Sequence, residues 1–306
     1  MKRFSKTIGA MASVFALQAC ATYTDDTATV ATAPADIVGE GPALWKVADE
    51  DTTIYMFGTV HALPADVEWK TPTVAAALAE SGSLVTEIDM TPEVLASVGP
   101  MMVGKATLTG GQTLRGLMTD EQRATYEAGL ANLGIPAAAL DGFEPWFAAV
   151  NVAQLMIQRA GYTPDSGVEK VLEESVPAGT DRVALETIEY GIDIFDGLPL
   201  DKQVEYLVAS LEDSEQGTAM LNQIVAEWAE GDLDDLSDLL TRSLDDTPDL
   251  AERLFYVRNA NWAEWIDTRL DTPGTAFMAV GAGHLAGSKS VQDYLAERGI
   301  AAQRIQ

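Results

Sequence analysis

The chain has 306 residues, 47% of them apolar, with 19 basic against 47 acidic side chains and a formal charge of −28. Its length and apolar content allow one large α/β domain or two modest ones. Nucleic acid binding needs cationic surface to displace counterions from phosphates, and an anionic membrane surface repels a folded body of this charge, so neither is an expected partner.

Lys2, Arg3 and Lys6 precede an apolar run, Ile8 to Leu17. The run has the length of a signal peptide's hydrophobic region and is too short to span a bilayer. Leu17-Gln18-Ala19-Cys20 has the form of a lipoprotein cleavage site, and Cys20 is the only cysteine of the chain. A single thiol in an exported protein has no internal disulfide partner, and lipidation accounts for it. The alternative is ordinary signal-peptidase cleavage near Ala19 or Ala21. The expected organisation is a signal peptide over residues 1–19, a lipid anchor and flexible tether over 20–41, and a single domain over 42–306. The protein is expected to be a periplasmic lipoprotein anchored to the outer membrane, touching it through the lipid alone.

Ala43–Ala48 and Thr53–Val60 are β-prone and flank Asp49-Glu50-Asp51-Thr52, which predicts an opening hairpin. Thr71-Pro72 caps a helix that runs to Ser81, and Ser83–Asp89 is a strand. Thr91-Pro92 opens a second helix, and Thr119 to Gln122 has the capping-box pattern of a third, which stops at Gly134. Helices follow over Pro145–Ala160 and Val168–Val176, then a strand over Arg182–Glu186. From Pro199 to Leu270 the pattern is helical, with breaks expected near Gly217, Gly231 and Pro248. Thr275–Val280 is a last strand, and a final helix ends at Arg298. The fold class is therefore α/β: a central sheet built from the N- and C-terminal strand–helix segments, with a large helical insertion in the middle.

The chain contains two histidines, His61 and His284. Each follows a β-run and has glycine three positions before it, in Gly58-Thr59-Val60-His61 and Gly281-Ala282-Gly283-His284. Glycine lets a backbone turn sharply or approach a ligand, which puts the following side chain at the mouth of the sheet, where open α/β sheets bind ligands. Carboxylates end the other strands. Glu87 interrupts the apolar run Leu84 to Asp89, where strand propensity disfavours it, and Glu186 closes Arg182–Glu186. Glu189, one helical turn further, reads as a solvated residue. Two imidazoles with one or two carboxylates are a sufficient ligand set for Zn²⁺ or Mn²⁺ with an open water position. Such an ion would make hydroxide near neutrality, with a free carboxylate as general base. Arg258 has two readings, a structural ion pair or a clamp for a substrate carboxylate or oxyanion. Trp146 reads as a core or pocket-wall aromatic. Gly-x-Ser-x-Gly and P-loop segments are absent from the sequence.

With Gly58-Thr59-Val60-His61, Glu87, Leu185-Glu186-Thr187, Arg258-Asn259 and Ala279 to Gly287 in place, the chain resembles the TraB/PrgY/GumN family, which includes the Tiki proteases. The resemblance runs from Ala43-Leu44-Trp45-Lys46-Val47 to the C-terminus. It implies a fold related to erythromycin esterases and to a haem-binding bacterial lipoprotein. It also implies metal-dependent proteolysis, by analogy with a branch in which Mn²⁺ or Co²⁺ supports activity. Carried onto this chain, His61, Glu87 and His284 are the metal or catalytic residues. Glu144-Pro145-Trp146 departs from a more usual Lys-Pro-Trp, and Gly167-Val168-Glu169 from a Gly-Val-Asp-like segment. The expected function is a metal-dependent hydrolase (Mn, Co or Zn), acting on a peptide or another small substrate. Glu186 is a further ligand or a support, and Arg258 a substrate contact. The alternatives are a metal-independent, esterase-like hydrolase with a histidine general base, and a non-enzymatic lipoprotein that binds haem, a metal or a peptide.

Overall fold

The computed structural model describes residues 41–89, 91–212, 214–244 and 248–306. The segments expected as an export signal, a lipidated Cys20 and a tether lie, up to residue 40, outside the described residues.

Strands β1 (Leu44–Ala48) and β2 (Thr52–Thr59) form the expected antiparallel hairpin. Helix α1 (Pro72–Glu80) is capped by the Thr71 hydroxyl, which accepts from the Val74 N–H, and it leads into β3 (Ser83–Ile88). A helical block follows: α2 (Pro92–Ala106), α3 (Asp120–Asn132), α4 (Pro145–Arg159) and α5 (Val168–Ser175). The capping box at Thr119 and Gln122 starts α3 as its sequence predicts. Then come β4 (Asp181–Glu186), α6 (Ile188–Asp196), α7 (Leu200–Glu212), α8 (Ser214–Glu230), α9 (Leu233–Leu244) and the single turn α10 (Pro248–Ala251). A π-helical turn over Glu252–Tyr256 runs into α11 (Val257–Leu270). The chain closes with β5 (Gly274–Gly281), a 3₁₀ turn over Ala282–Leu285, α12 (Val291–Glu297) and the two-residue β6 (Gln303–Arg304).

One expectation is corrected, and one strand was not expected. Gly217 lies inside α8 and breaks nothing; Gly231, at φ +74°, is the glycine that ends that helix. The edge strand β6 has too short a pattern to be legible alone.

The six strands order as β4-β3-β5-β2-β1-β6. β4, β3, β5 and β2 run parallel to one another, and the hairpin partner β1 and β6 extend one edge in antiparallel pairing. The last long strand thus inserts between the two earliest segments, pairing Thr59 with Gly281 and Thr86 with Ala279. Alternation along β2 and β5 splits the core. Tyr55, Phe57, Phe277 and Ala279 face a layer containing Val74, Leu78, Val168 and Trp228. Ile54, Met56, Met278 and Val280 face Trp262, Ile266 and Val291 from α11 and α12. A third cluster, containing Trp146, Tyr126, Leu207 and Phe195, packs the helical insertion against itself, so Trp146 is a core residue.

Candidate active site

Because four neighbouring strands are parallel, their C-terminal ends lie along one edge. In sheet order they deliver Glu186 (β4), Glu87 (β3), Gly281 and then His284 (β5), and Thr59 followed by His61 (β2). Two glycines let this edge close up. A Cβ on Gly58 would stand 3.0 Å from the Ala282 Cα, so glycine there admits the 3₁₀ turn that carries His284. A Cβ on Gly281 would stand 3.2 Å from Glu87 Oε1, 3.6 Å from His284 Cδ2 and 3.8 Å from His61 Nε2. The two histidines and Glu87 therefore converge on the space above one residue that lacks a side chain.

Arg258 stitches the cluster together. Its Nε and Nη2 donate to Glu186 at 2.8 Å each, and Nη2 also donates to Glu87 Oε2 at 2.6 Å. Its Nη1 donates to the Leu254 carbonyl at 3.0 Å and lies 3.1 Å from His284 Nε2. All five guanidinium N–H donors are thereby committed within the protein. Of its two readings, the geometry matches the structural ion pair, because no donor is left for a substrate. Glu186 faces Arg258 and the Trp262 indole N–H, at 3.0 Å, and so supports the cluster from behind. Glu87 Oε1 accepts from the Gly281 N–H at 2.6 Å.

The ring nitrogens of both histidines can be assigned from their partners. The Asn259 amide nitrogen donates to the Lys289 carbonyl at 2.8 Å, which turns its Oδ1 toward His284 Nδ1 at 2.6 Å. His284 therefore carries its proton on Nδ1, and Nε2 accepts from Arg258. Its ring is sandwiched by Trp262 and Phe255, with centroids 4.3 and 4.9 Å away. Burial first, and the Arg258 charge second, push His284 down to about 3, so it is neutral. His61 is the opposite case. Its Nδ1 lies 2.5 Å from Glu169 Oε1. Burial pushes the imidazole down, but the charge and hydrogen bond of Glu169, helped by Glu87 against Arg258, outweigh that and lift it to about 9. Burial would raise Glu87, but the Arg258 guanidinium, the His61 charge and the Gly281 N–H hold it well below the usual carboxylate range.

The structure thus brings together His61, Glu87, His284, Arg258 and Glu186. Two residues join them that were not selected as site residues from sequence. Asn259 reads as a polar position on an amphipathic helix, and Glu169 as a first-turn acid. Both work through contacts far away in the chain.

A divalent cation is the group that the resemblance implies here, and the residues present do not fit one. His284 Nε2, the lone pair that would ligate, already accepts from a guanidinium. Glu87 spends both oxygens on Gly281 and Arg258. A cation between them would sit against the Arg258 charge. Among the described residues, the trio of ligand atoms within 4.8 Å of one another is Glu227, Asp232 and Asp235, none of which belongs to this cluster.

Paired histidines and an arginine-bridged carboxylate pair thus line the C-terminal strand edge of a single-sheet α/β domain. The chain belongs to the TraB/PrgY/gumN family, whose model matches residues 43–304. No curated protein and no solved structure matches it.

Proposed function

We propose that the chain is a hydrolase of a peptide or ester bond that uses water as its nucleophile and His61 as the proton-transferring group, without a resident metal. One observation carries this reading. Two imidazoles and a carboxylate share one centre, and their surroundings drive their protonation apart, which is how acid and base roles are divided in a site. Among the described residues His61 Nε2 has no hydrogen-bond partner, and the side chain keeps 11% of its exposure. The neutral imidazole, whose population grows as pH rises toward about 9, takes a proton from water as it attacks the carbonyl carbon; the imidazolium returns it to the leaving amine or alcohol, so hydrolysis should rise with pH up to about 9. Glu87 stays ionised beside His61 and favours the imidazolium as it forms. His284, neutral and locked between Asn259 and Arg258, fixes the guanidinium that holds Glu87.

The basic start Lys2, Arg3 and Lys6, the apolar run Ile8 to Leu17 and the lone Cys20 support an enzyme held outside the cytoplasm by a lipid on Cys20. No described helix is long and apolar enough to cross a membrane.

The test is a screen of peptide and ester libraries with and without a strong chelator, alongside metal analysis of the purified protein. The reading expects hydrolysis that survives chelation and falls about 10²–10⁴-fold in His61→Ala. Stoichiometric metal, with activity lost on its removal, would transfer the chemistry to a metal centre and overturn it.

A further inference from the structure

The corner that carries His61 is gripped by a segment more than a hundred residues later in the chain. The Leu63 and Thr163 backbones exchange two hydrogen bonds, at 3.0 and 3.2 Å, and the Val168 N–H donates to the Val60 carbonyl at 3.0 Å. Between these ties Gly167 passes so close that a Cβ there would collide with the His61 carbonyl oxygen. Helix α5 begins at this point, and Glu169 is the acid of its first turn. Its Oε1 accepts from the Thr59 hydroxyl and from His61 Nδ1. The carboxylate is therefore fixed at three levels: the backbone clamp places its helix, Thr59 orients the oxygen, and that oxygen holds the ring.

We infer that Glu169 is the positioning residue of the site, holding the Nδ1 proton of His61 so that Nε2 alone faces Gly281 and Glu87. The inference deepens the proposed hydrolase and rests on that reading only for its catalytic consequence. Glu169 touches neither water nor substrate. It restricts the rotation of the ring and stabilises the imidazolium, as a buried carboxylate does for an imidazole that must accept a proton. The charged groups that act on His61 are Glu169, Glu87 and Arg258, and Glu169 is the one bonded to the ring.

The chain's two histidines make the test direct. Ring ¹⁵N spectra of the purified protein contain two imidazole systems, separated by His284→Gln. Near pH 7.5 one ring should be doubly protonated, His61, and the other neutral with its proton on Nδ1, His284. In Glu169→Ala, His61 should become neutral at that pH and its midpoint should fall from about 9 toward the ordinary imidazole range, with His284 unmoved. Glu169→Gln removes the charge but keeps an oxygen in the same place. It should leave His61 neutral with its proton still on Nδ1, which also covers the case in which the alanine variant fails to fold. Glu173→Gln, on the exposed face of α5 where it pairs with Arg182, should change neither ring. A His61 ring unmoved by the loss of Glu169 overturns the inference, and so does an equal disturbance of both rings in folded protein. None of these spectra needs a substrate. Absence of hydrolysis would therefore remove the proposed function and leave the Glu169 assignment standing, while an unmoved ring in an active enzyme would do the reverse.

Discussion

Arg258 is 4% exposed and faces two carboxylates and an imidazole, so its removal strands more than it deletes. Breaking one side of a buried ion pair leaves an uncompensated charge and costs about 3–5 kcal/mol. Arg258→Met should lower urea-unfolding stability by that order, and Arg258→Lys should recover only part, because an ammonium cannot span Glu87, Glu186, Leu254 and His284 at once. The histidines set the dependence of stability on pH. His61, raised to about 9, contributes stability that is complete below the ordinary imidazole value of 6.5 and is lost as pH rises through about 9. His284, lowered to about 3, stays neutral in the native state while the unfolded chain takes a proton below 6.5, so stability falls as pH drops from 6.5 toward 3. Each proton contributes at most about 1.4 kcal/mol per pH unit. Urea midpoints across pH should form a dome. The alkaline limb should flatten in His61→Gln, and the acid limb between about 6.5 and the carboxylate range should flatten in His284→Gln.

At the scale of elements, the clamp between the segment entering α5 and the β2 corner controls the site more than the helix's own stability does. Gly167 has an ordinary backbone conformation, so Gly167→Ala is unfavourable by collision with His61 and not by strain. It should reduce hydrolysis as strongly as changing Glu169, with the alpha-helical circular dichroism retained. Thr119→Ala is the contrast: loss of the capping box at α3 should cost about 1 kcal/mol and leave kcat unchanged. These two positions also show what sequence reveals. A capping box is four adjacent residues with a local cause, so it is legible; so are the glycine-preceded strand ends that carry His61 and His284. The role of Glu169 is not legible, since a glutamate in a first helical turn fits the helix dipole whether or not a histidine waits beyond it. Arg258 left two readings open for the same reason. Only the tertiary pairings decide between them.

For the whole molecule, the α/β class was legible because strand and helix periods alternate at both ends of the chain. The order of the strands was not. Sequence spacing does not reveal that β5 enters between β3 and β2, and that insertion turns two distant Gly-x-x-His segments into one site. The apparent echo between them is not an exact superposition either: Gly281 pairs with Thr59 and Gly58 with Val280. The charge of −28 acts at this scale too. Self-repulsion among surface acids is screened at ionic strengths above about 0.1 M, so the melting temperature should rise between low and moderate salt; a fall would show that attractive surface pairs dominate.

The central claim is that His61 and His284 act as one centre. A double-mutant cycle on kcat/KM with His61→Ala, His284→Ala and the pair tests it most directly. If both belong to one unit, the double variant loses little more activity than the worse single variant. If the two losses multiply, the histidines serve separate sites and the account is contradicted.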